Sequence, residues 1–425
     1  MKLTRLSLAA IVAVGALGSF ASATPLEEAI KGVDVTGFAR LRYTHFTENP
    51  KVGDDVTKET IRISGELNVV APIADGLAFG TTLTTEGDNN PDTAASAPTG
   101  DLGGRSFNFD KYYFLYSGVK DLAVIGGKYT IPAPWAESGY NGDRGNGLVA
   151  LYSGVPNWTF AGALYLQTNG FDLGAIEGVL AGLDSKEYVD IDGNYIGTDA
   201  ILGQRNLYAL GAIGKAGPVD LQVWAASLEK IIDYTVYAQA AFELSGFNAK
   251  AQVNYLKLGD QPIVVDYVPN PTPPPYINVP EIVPLSKVFD DDAGLFYGIE
   301  AGYKNDLFFA SAGYTQTDKD QPIYALDSDN DGFIKFGQQL YYKTTNEFDV
   351  ATYFIKGGVT VDKFGAELGY GAASLDKDKL DYSEIYGLVS YQFAPKFAVQ
   401  LYYSYLDLDD AGDNSEVQLE LKYAF

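Results

Sequence analysis

One segment of the sequence places acidic side chains at alternate positions ahead of a glycine. It reads Asp327-Ser328-Asp329-Asn330-Asp331-Gly332-Phe333. Alternate carboxylates can converge on a hard cation, the glycine permits a sharp turn, and a backbone carbonyl adds a ligand, as in an EF-hand loop. The twelfth position, where such a loop has a bidentate glutamate, is Gln338. The pattern predicts a Ca²⁺ site on a surface loop, with a hydrated acidic loop as the alternative; the predicted ligands are Asp327, Asp329, Asp331 and Phe333.

Residues for nucleophilic or zinc-dependent catalysis are almost absent. The chain has one histidine, His45, and no cysteine. A serine hydrolase needs its histidine beside a serine nucleophile, which no motif marks, and a zinc centre needs several Cys or His ligands. The sequence therefore predicts a protein that is not an enzyme and requires no cofactor.

A second group of charges lies in residues 130–147, a segment with two prolines and a tryptophan that would stiffen it. Its charged residues include Glu137, Asp143 and Arg144. Five basic residues occupy positions that the strand pattern described below assigns to one inner face: Arg40, Arg42, Arg62, Lys111 and Lys128. Opposite charges facing each other across a narrow water-filled gap would order water and filter ions. We predict a constriction at 130–147; simple solvated charges are the alternative.

The elements that must position these residues are β-strands, because apolar and polar residues alternate along much of the chain. In Phe247–Tyr255 the odd positions are apolar and the even positions are Asn, Lys, Gln and Asn; 234–240 and 397–403 alternate similarly. A soluble sandwich would have a hydrophobic inner face. Here one face is apolar and the other carries amides and charges, which suits lipid outside and water inside. The sequence predicts an all-β fold, a transmembrane antiparallel β-barrel.

Short and long connections separate the predicted strands. Short ones lie at 74–76, 120–121, 215–218, 245–246, 304–306 and 394–396, and long polar ones at 48–58, 87–104, 130–147, 169–203, 259–293 and 317–346. Short periplasmic turns and long extracellular loops are typical of outer-membrane barrels. We count about 18 strands between Val33 and Phe425, an even number that places both chain termini on the short-turn side.

Both ends of the chain carry export signals. Lys2 and Arg5 precede a short apolar run, and Ala21-Ser22-Ala23 is a cleavage site of the A-x-A type. We therefore predict a removed signal peptide, 1–23, and a single barrel domain, 24–425. The last ten residues alternate strictly and end on Phe425, which resembles the C-terminal signal read by the bacterial barrel-assembly machinery.

Composition limits the classes of partner. The formal charge is −25, and loss of Lys2 and Arg5 would make it more negative, so the phosphate backbone of a nucleic acid would be repelled. The acidity suits a pore that admits cations. No run of about 18 apolar residues predicts a membrane helix within the mature chain.

Several segments together resemble one family, the major outer membrane protein of Campylobacter and its relatives. They are Ala23–Lys31, Val33–Gly37, Arg40–Tyr43, Val124–Lys128 with Trp135, and Tyr403–Asp409. The resemblance implies a trimeric, 18-stranded porin with a loop folded into the lumen. Some members hold Ca²⁺ at the constriction, but Asn141 stands where an acidic residue is expected, so that site does not carry over.

The sequence as a whole predicts a general diffusion porin in the outer membrane of a Gram-negative bacterium. It would pass ions and small hydrophilic solutes passively, prefer cations, form a homotrimer, and contact membrane lipid and lipopolysaccharide. One alternative is a surface adhesin or structural barrel whose lumen is sealed by its loops. Another is a substrate-specific channel with a basic ladder for an anionic solute.

Overall fold

The chain forms a ladder of long antiparallel strands. The computed structural model describes residues 32–85, 107–140, 142–168, 205–260, 262–269, 278–287, 289–321, 324–327, 329–344, 347–375 and 380–425. The strands in these ranges are β1 (Asp34–Pro50), β2 (Val56–Ala74), β3 (Leu77–Thr85), β4 (Phe107–Val119), β5 (Leu122–Thr130), β6 (Arg144–Val155), β7 (Trp158–Thr168), β8 (Leu207–Ala216), β9 (Val219–Leu228), β10 (Ile232–Leu244), β11 (Phe247–Leu258), β12 (Pro262–Pro269), β13 (Asn278–Pro284), β14 (Ala293–Lys304), β15 (Phe308–Gln316), β16 (Val350–Val361), β17 (Phe364–Leu375), β18 (Leu380–Ala394), β19 (Phe397–Asp407) and β20 (Gly412–Ala424).

Eighteen of the strands in the described ranges close into one barrel. Each pairs antiparallel with the next along the chain, while β12 and β13 pair only with each other, so β11 is followed in the sheet by β14. The first strand pairs with β2 on one side and with β20 on the other. No edge strand is left, which is how a membrane barrel satisfies its backbone hydrogen bonds. The predicted fold class and strand count are confirmed.

The connections differ at the two rims. Two- or three-residue turns join β2 to β3, β4 to β5, β6 to β7, β8 to β9, β10 to β11, β14 to β15, β16 to β17 and β18 to β19. The other rim carries the longer connections, including one α-helix, α1 (Leu340–Thr344). The prediction of a long loop at 48–58 is wrong. Strand β1 ends at Pro50 and β2 begins at Val56, so only five residues connect them. The predicted loops 87–104 and 169–203 lie outside the described residues, as does the predicted signal peptide 1–23.

The outer face of the barrel is apolar. On β1 and β2 the alternation sets Leu41, Ile61 and Ile63 outward, where they are 40%, 63% and 48% exposed, and sets the arginines between them inward. Large exposed apolar and aromatic side chains recur in this way around the ring. Such a surface matches hydrocarbon rather than water. No helix among the described residues is long and apolar enough to span a membrane.

The inner face is not uniform around the ring. Strands β20 and β1 to β3 turn mainly amides, hydroxyls and charges inward, as predicted, whereas β10, β11, β14 and β16 to β19 mix polar side chains with buried apolar ones such as Leu256, Phe296, Phe354 and Leu406. Strands β5 to β9 instead turn inward a set of buried apolar or small side chains: Ala123, Ile125, Val149, Leu151, Ala161, Tyr165, Leu207, Ala209, Trp224 and Ala226. The prediction of a hydrophilic inner face is therefore wrong for β5 to β9. An apolar inner wall needs a cover, and loops that fold back into the barrel supply part of it.

Candidate pore constriction

Loop 3, residues 131–143 between β5 and β6, is held in shape by buried charge. The guanidinium of Arg144, 1% exposed, donates to Asp110 at 2.9 Å and to the carbonyls of Gly139 and Asp143 at 2.7 and 3.1 Å. Asp143, 2% exposed, accepts from the backbone N–H of Glu137 at 2.8 Å. Burial raises the pKa of the Asp143 carboxyl. The two residues were predicted as charges facing the pore, and this is wrong because both are buried: Asp143 binds the backbone of the loop, and Arg144 binds that backbone and Asp110 of β4.

Loop 3 reaches across the lumen. Trp135, fully buried, donates its indole N–H to the Asn254 side chain on the inner face of β11 at 2.8 Å. Five residues on, Tyr140 bonds to Thr85 of β3 and lies against Phe38 and Arg40 of β1. In the ring of 18 strands, β11 and β1 are nearly opposite each other. Loop 3 therefore lies inside the barrel and joins opposite walls; that residues 130–147 form the constriction of the pore stays a prediction.

A second loop, which the sequence did not single out as lumenal, lies beside it. Loop 7, residues 317–349 between β15 and β16, was predicted as a surface loop. Its residues Tyr324, Ala325, Leu326 and Phe333 are at most 4% exposed and belong to the same hydrophobic cluster as loop 3 and the inner wall of β5 to β9. The signal that could have revealed this is the run of apolar residues within a segment otherwise suited to water.

The two loops pair with each other through their backbones. The carbonyl of Trp135 accepts from the N–H groups of Leu326 and Asp327, both at 3.0 Å, and Pro134 and Ala136 accept from Gly332 and Asp331, both at 3.1 Å. A side chain on Gly332 would collide with Pro134, so glycine is required for this approach. Residues 134–138 and 326–332 thus form one body.

Side chains on the inner wall of the barrel hold the paired loops 3 and 7 in place. Gln252 of β11 donates to the carbonyl of Gly332 and accepts from the N–H of Ile334, both at 2.6 Å. The ring of Phe333 is stacked between those of Tyr237 and Phe296, at centroid distances of 5.8 and 4.6 Å. Amide bonds and aromatic packing together hold the loops in one position.

The motif Asp327–Phe333 therefore lies inside the barrel rather than on its surface. Its carboxylates have separate partners: Asp331 accepts from Ser138, Asp329 from the hydroxyls of two tyrosines, and Asp327 from the N–H of Asp329. Among the described residues no group of three acidic or histidine side chains has metal-binding geometry. Phe333 was predicted to bind the ion through its backbone carbonyl, and its ring is stacked between Tyr237 and Phe296. Calcium at these four residues stays a prediction.

The carboxylates still make this edge of the loops strongly negative. Burial, and then the charges of Asp329, Asp327 and Asp331, raise the pKa of Glu137 to about 8. A carboxyl shifts upward in this way when the surrounding potential is negative and water is partly excluded. Burial also lowers the pKa of nearby Lys335, whose ammonium lies 4.5 Å from the ring centroid of Tyr341.

The predicted basic residues lie on the wall of β1, β2 and β4, which loop 3 touches through Tyr140, with one exception. Arg42 bonds to Glu420 of β20 at 2.6 Å, Arg40 bonds to Ser64 at 3.1 Å, and Arg62 lies directly opposite Arg42 in the ladder. Lys111 lies opposite the buried, inward Thr82. Residues opposite each other in a ladder share a face, so these four face inward.

Lys128 is the exception. It lies opposite Tyr112, an exposed residue of the outer face, while its neighbour Tyr129 packs against the inward Tyr113 at 4.7 Å. The prediction that Lys128 lines the lumen is therefore wrong, because the register of β4 and β5 places it outside.

A closed barrel with an apolar exterior, a charged inner wall and loops folded across its lumen defines a protein of the outer-membrane porin class. The chain belongs to one family of that class, since the family model for the Campylobacter major outer membrane protein matches residues 1–425. It is accordingly an outer-membrane protein. No curated protein sequence matches it.

Solved structures share the fold at low sequence identity. The crystal structure of Pseudomonas aeruginosa OccK9 (OpdG) is 13% identical with a TM-score of 0.65, covering 93% of this chain and 99% of that one. Acinetobacter baumannii OccAB1 is 12% identical with a TM-score of 0.63, covering 92% and 96%. Pseudomonas aeruginosa OccK3 (OpdO) is 11% identical with a TM-score of 0.60, covering 94% and 97%.

Proposed function

We propose that the protein is a passive channel for ions and small hydrophilic solutes, with its passage displaced to one side of the barrel. The observation that carries this proposal is the division of the wall. Loops 3 and 7 pack on the inner faces of β5 to β11 and of β16 to β19, whereas the inward charges of β20, β1 and β2 face them across the lumen. A polar wall opposite a polar loop edge is suited to water.

The passage would favour cations. Its loop edge carries the carboxylates of Asp327, Asp329 and Asp331. Burial, and then these three charges, raise the pKa of the adjacent Glu137 to about 8, so Glu137 itself is largely neutral at pH 7. The facing wall carries arginines, of which Arg42 is paired with Glu420. The chain as a whole has a formal charge of −25, which concentrates cations at its entrances. These opposed signs support the proposal of a transverse field across the passage.

Recording from purified protein in a planar bilayer, under a salt gradient and with or without a calcium chelator, tests these points together. Discrete conductance steps and a cation-selective reversal potential are expected. A change in conductance or reversal potential on chelation would support a Ca²⁺ site at Asp327, Asp329, Asp331 and Phe333. Unchanged conductance and reversal potential would contradict that site. Absence of steps from correctly folded protein would overturn the channel.

A loop-sealed structural barrel is the second candidate, and the two loops packed into the lumen favour it. Swelling of protein-loaded liposomes in sugar solutions separates the two functions. Swelling that slows with sugar size supports a channel, whereas no swelling supports the sealed barrel.

The remaining partners belong to the same proposal. The apolar outer face would contact membrane lipid and lipopolysaccharide. Three copies would form a trimer, as the family resemblance implies. Phe425, whose backbone pairs with Gly37 at 3.0 and 3.1 Å, would first be read by the assembly machinery. Removal of residues 1–23 would accompany export. Chemical crosslinking in lipid tests the trimer.

A further inference from the structure

Glu384 is a buried carboxylate on the inner face of β18, and it has an unusual set of partners. It is 0% exposed. Its oxygens accept from the backbone N–H groups of Gln338, Gln339 and Leu340 at 3.2, 3.2 and 2.8 Å. They also accept from the hydroxyl of Tyr402 at 3.0 Å. Three of the four donors thus belong to loop 7.

A buried carboxylate is costly unless it is well hydrogen-bonded. No lysine or arginine among the described residues makes an ion pair with Glu384, so neutral donors must stabilise it. Hydrogen bonds to an ionised acceptor are stronger than those between neutral groups. The contact therefore works in both directions: the loop stabilises the charge, and the charge holds the loop.

The surroundings are shaped for this contact. Gly337 has a φ of +79°, and a Cβ on it would collide with the carboxylate of Glu384. Next to it, the ring of Phe336 fills the space over Gly371 and lies between Phe354 and Tyr386, at centroid distances of 5.3 and 5.4 Å. Gln339 donates to Ser404 of β19.

This attachment is on the far side of loop 7 from its attachment to loop 3. Residues 326–334 are held by loop 3 and β11, and residues 336–340 by β17 to β19. Loop 7 is thus fixed at two points, and release of the attachment at Glu384 would free residues 336–340 to move while residues 326–334 stay held.

We propose that Glu384 is a positioning residue, a latch that holds loop 7 in the lumen and thereby sets the width of the passage. The inference about the passage depends on the proposed channel function, but the attachment of the loop does not. Glutamate is specific to the role because one oxygen accepts from Gln338 and Tyr402 and the other from Gln339 and Leu340. In glutamine an N–H₂ group would replace one of these oxygens and face donors instead of accepting from them.

The absence of cysteine from the chain makes the latch testable by a single introduced thiol. Leu340→Cys places it at a position that is 0% exposed. In the otherwise unchanged protein it should resist a water-soluble maleimide. Adding Glu384→Gln should raise its rate of reaction about tenfold or more, since local opening becomes easier. Gly337→Ala should act similarly from the loop side.

Two controls accompany the measurement. Val52→Cys, at a position 92% exposed, should react quickly in every background. Glu416→Gln removes one inward carboxylate from β20, where its hydrogen bond is to Gln418, and should leave the thiol at 340 protected.

Single-channel recording then links the loop to the passage. Glu384→Gln should give larger or rapidly fluctuating steps, while Glu416→Gln should change selectivity without such noise. A thiol at 340 that stays protected in folded Glu384→Gln and Gly337→Ala overturns the latch. If the thiol is exposed but the unaltered protein never conducts, the latch stands and the channel fails.

Discussion

Arg144 shows how a charged side chain can serve shape rather than selectivity. It is buried at the start of β6, where its guanidinium bonds to Asp110 and to two carbonyls of loop 3. The sequence could show that a charge was present in the segment but not that its donors would be used internally, because burial depends on how the loop folds back. Alternation did predict the inward direction of Arg40, Arg42 and Arg62.

Arg144→Ala should destabilise the folded protein strongly, since it leaves the partly buried Asp110 without its ion partner and two carbonyls of loop 3 without their donor. Breaking a buried pair in this way typically costs about 3–5 kcal/mol. Urea unfolding of the barrel in lipid vesicles measures the change. Lys215→Ala removes an ion pair to Asp220 whose side chains are 61% and 40% exposed, and should cost about 1 kcal/mol or less. Equal losses for the two variants would contradict the role given to Arg144.

At the scale of elements, loops 3 and 7 act as one body, so loop 7 should narrow the channel. Replacing residues 320–345 by a short Gly-Ser linker should raise single-channel conductance and admit larger sugars in liposome swelling. The physical reason is that the packed residues around Phe333 and Phe336 would leave the lumen. Conductance equal to that of the unaltered protein would show that the loop does not limit flow.

The matched control is the loop between β11 and β14. Its strands β12 and β13 pair with each other and not with the barrel. Replacing residues 262–284 by the same linker removes a loop of similar length, and conductance should stay near that of the unaltered protein.

Strands were predictable where one face meets lipid and the other meets water, as in β11 and β20. The apolar wall of β5 to β9 was not, because both faces are then apolar and residues such as Leu148-Val149-Ala150-Leu151 lose their alternation. Loop 7 was missed for a related reason: its acidic motif suggested solvent, whereas Tyr324, Phe333 and Phe336 required burial. Lys128 was misassigned because the pairing of β4 with β5 was unknown.

At the scale of the whole molecule, selectivity should depend on the balance of charge between the loop edge and the wall. Arg62→Gln should increase cation preference in low salt, where screening is weak. A unit charge about 10 Å away in water contributes about 0.4 kcal/mol, or a factor of about two in the permeability ratio. The reversal potential under a salt gradient measures it.

Lys363→Gln serves as the comparison for Arg62→Gln. It removes the same charge from an exposed turn between β16 and β17, on the rim that carries the short turns. It should leave the permeability ratio nearly unchanged. A shift as large as that of Arg62→Gln would mean that total charge, rather than the inner wall, controls selectivity.

The pairing of β1 with β20, in which Phe38 lies opposite Ala424, has a consequence for the order of events during assembly. The first strand of the barrel pairs with the last. Until β1 and β20 have paired, the partial sheet has two open edges, and open edges invite pairing with other chains. A contact spanning nearly the whole sequence also forms slowly. Closure of the ring should therefore be the final and committing step of assembly. After it, neither edge strand of the sheet is free to pair with another chain.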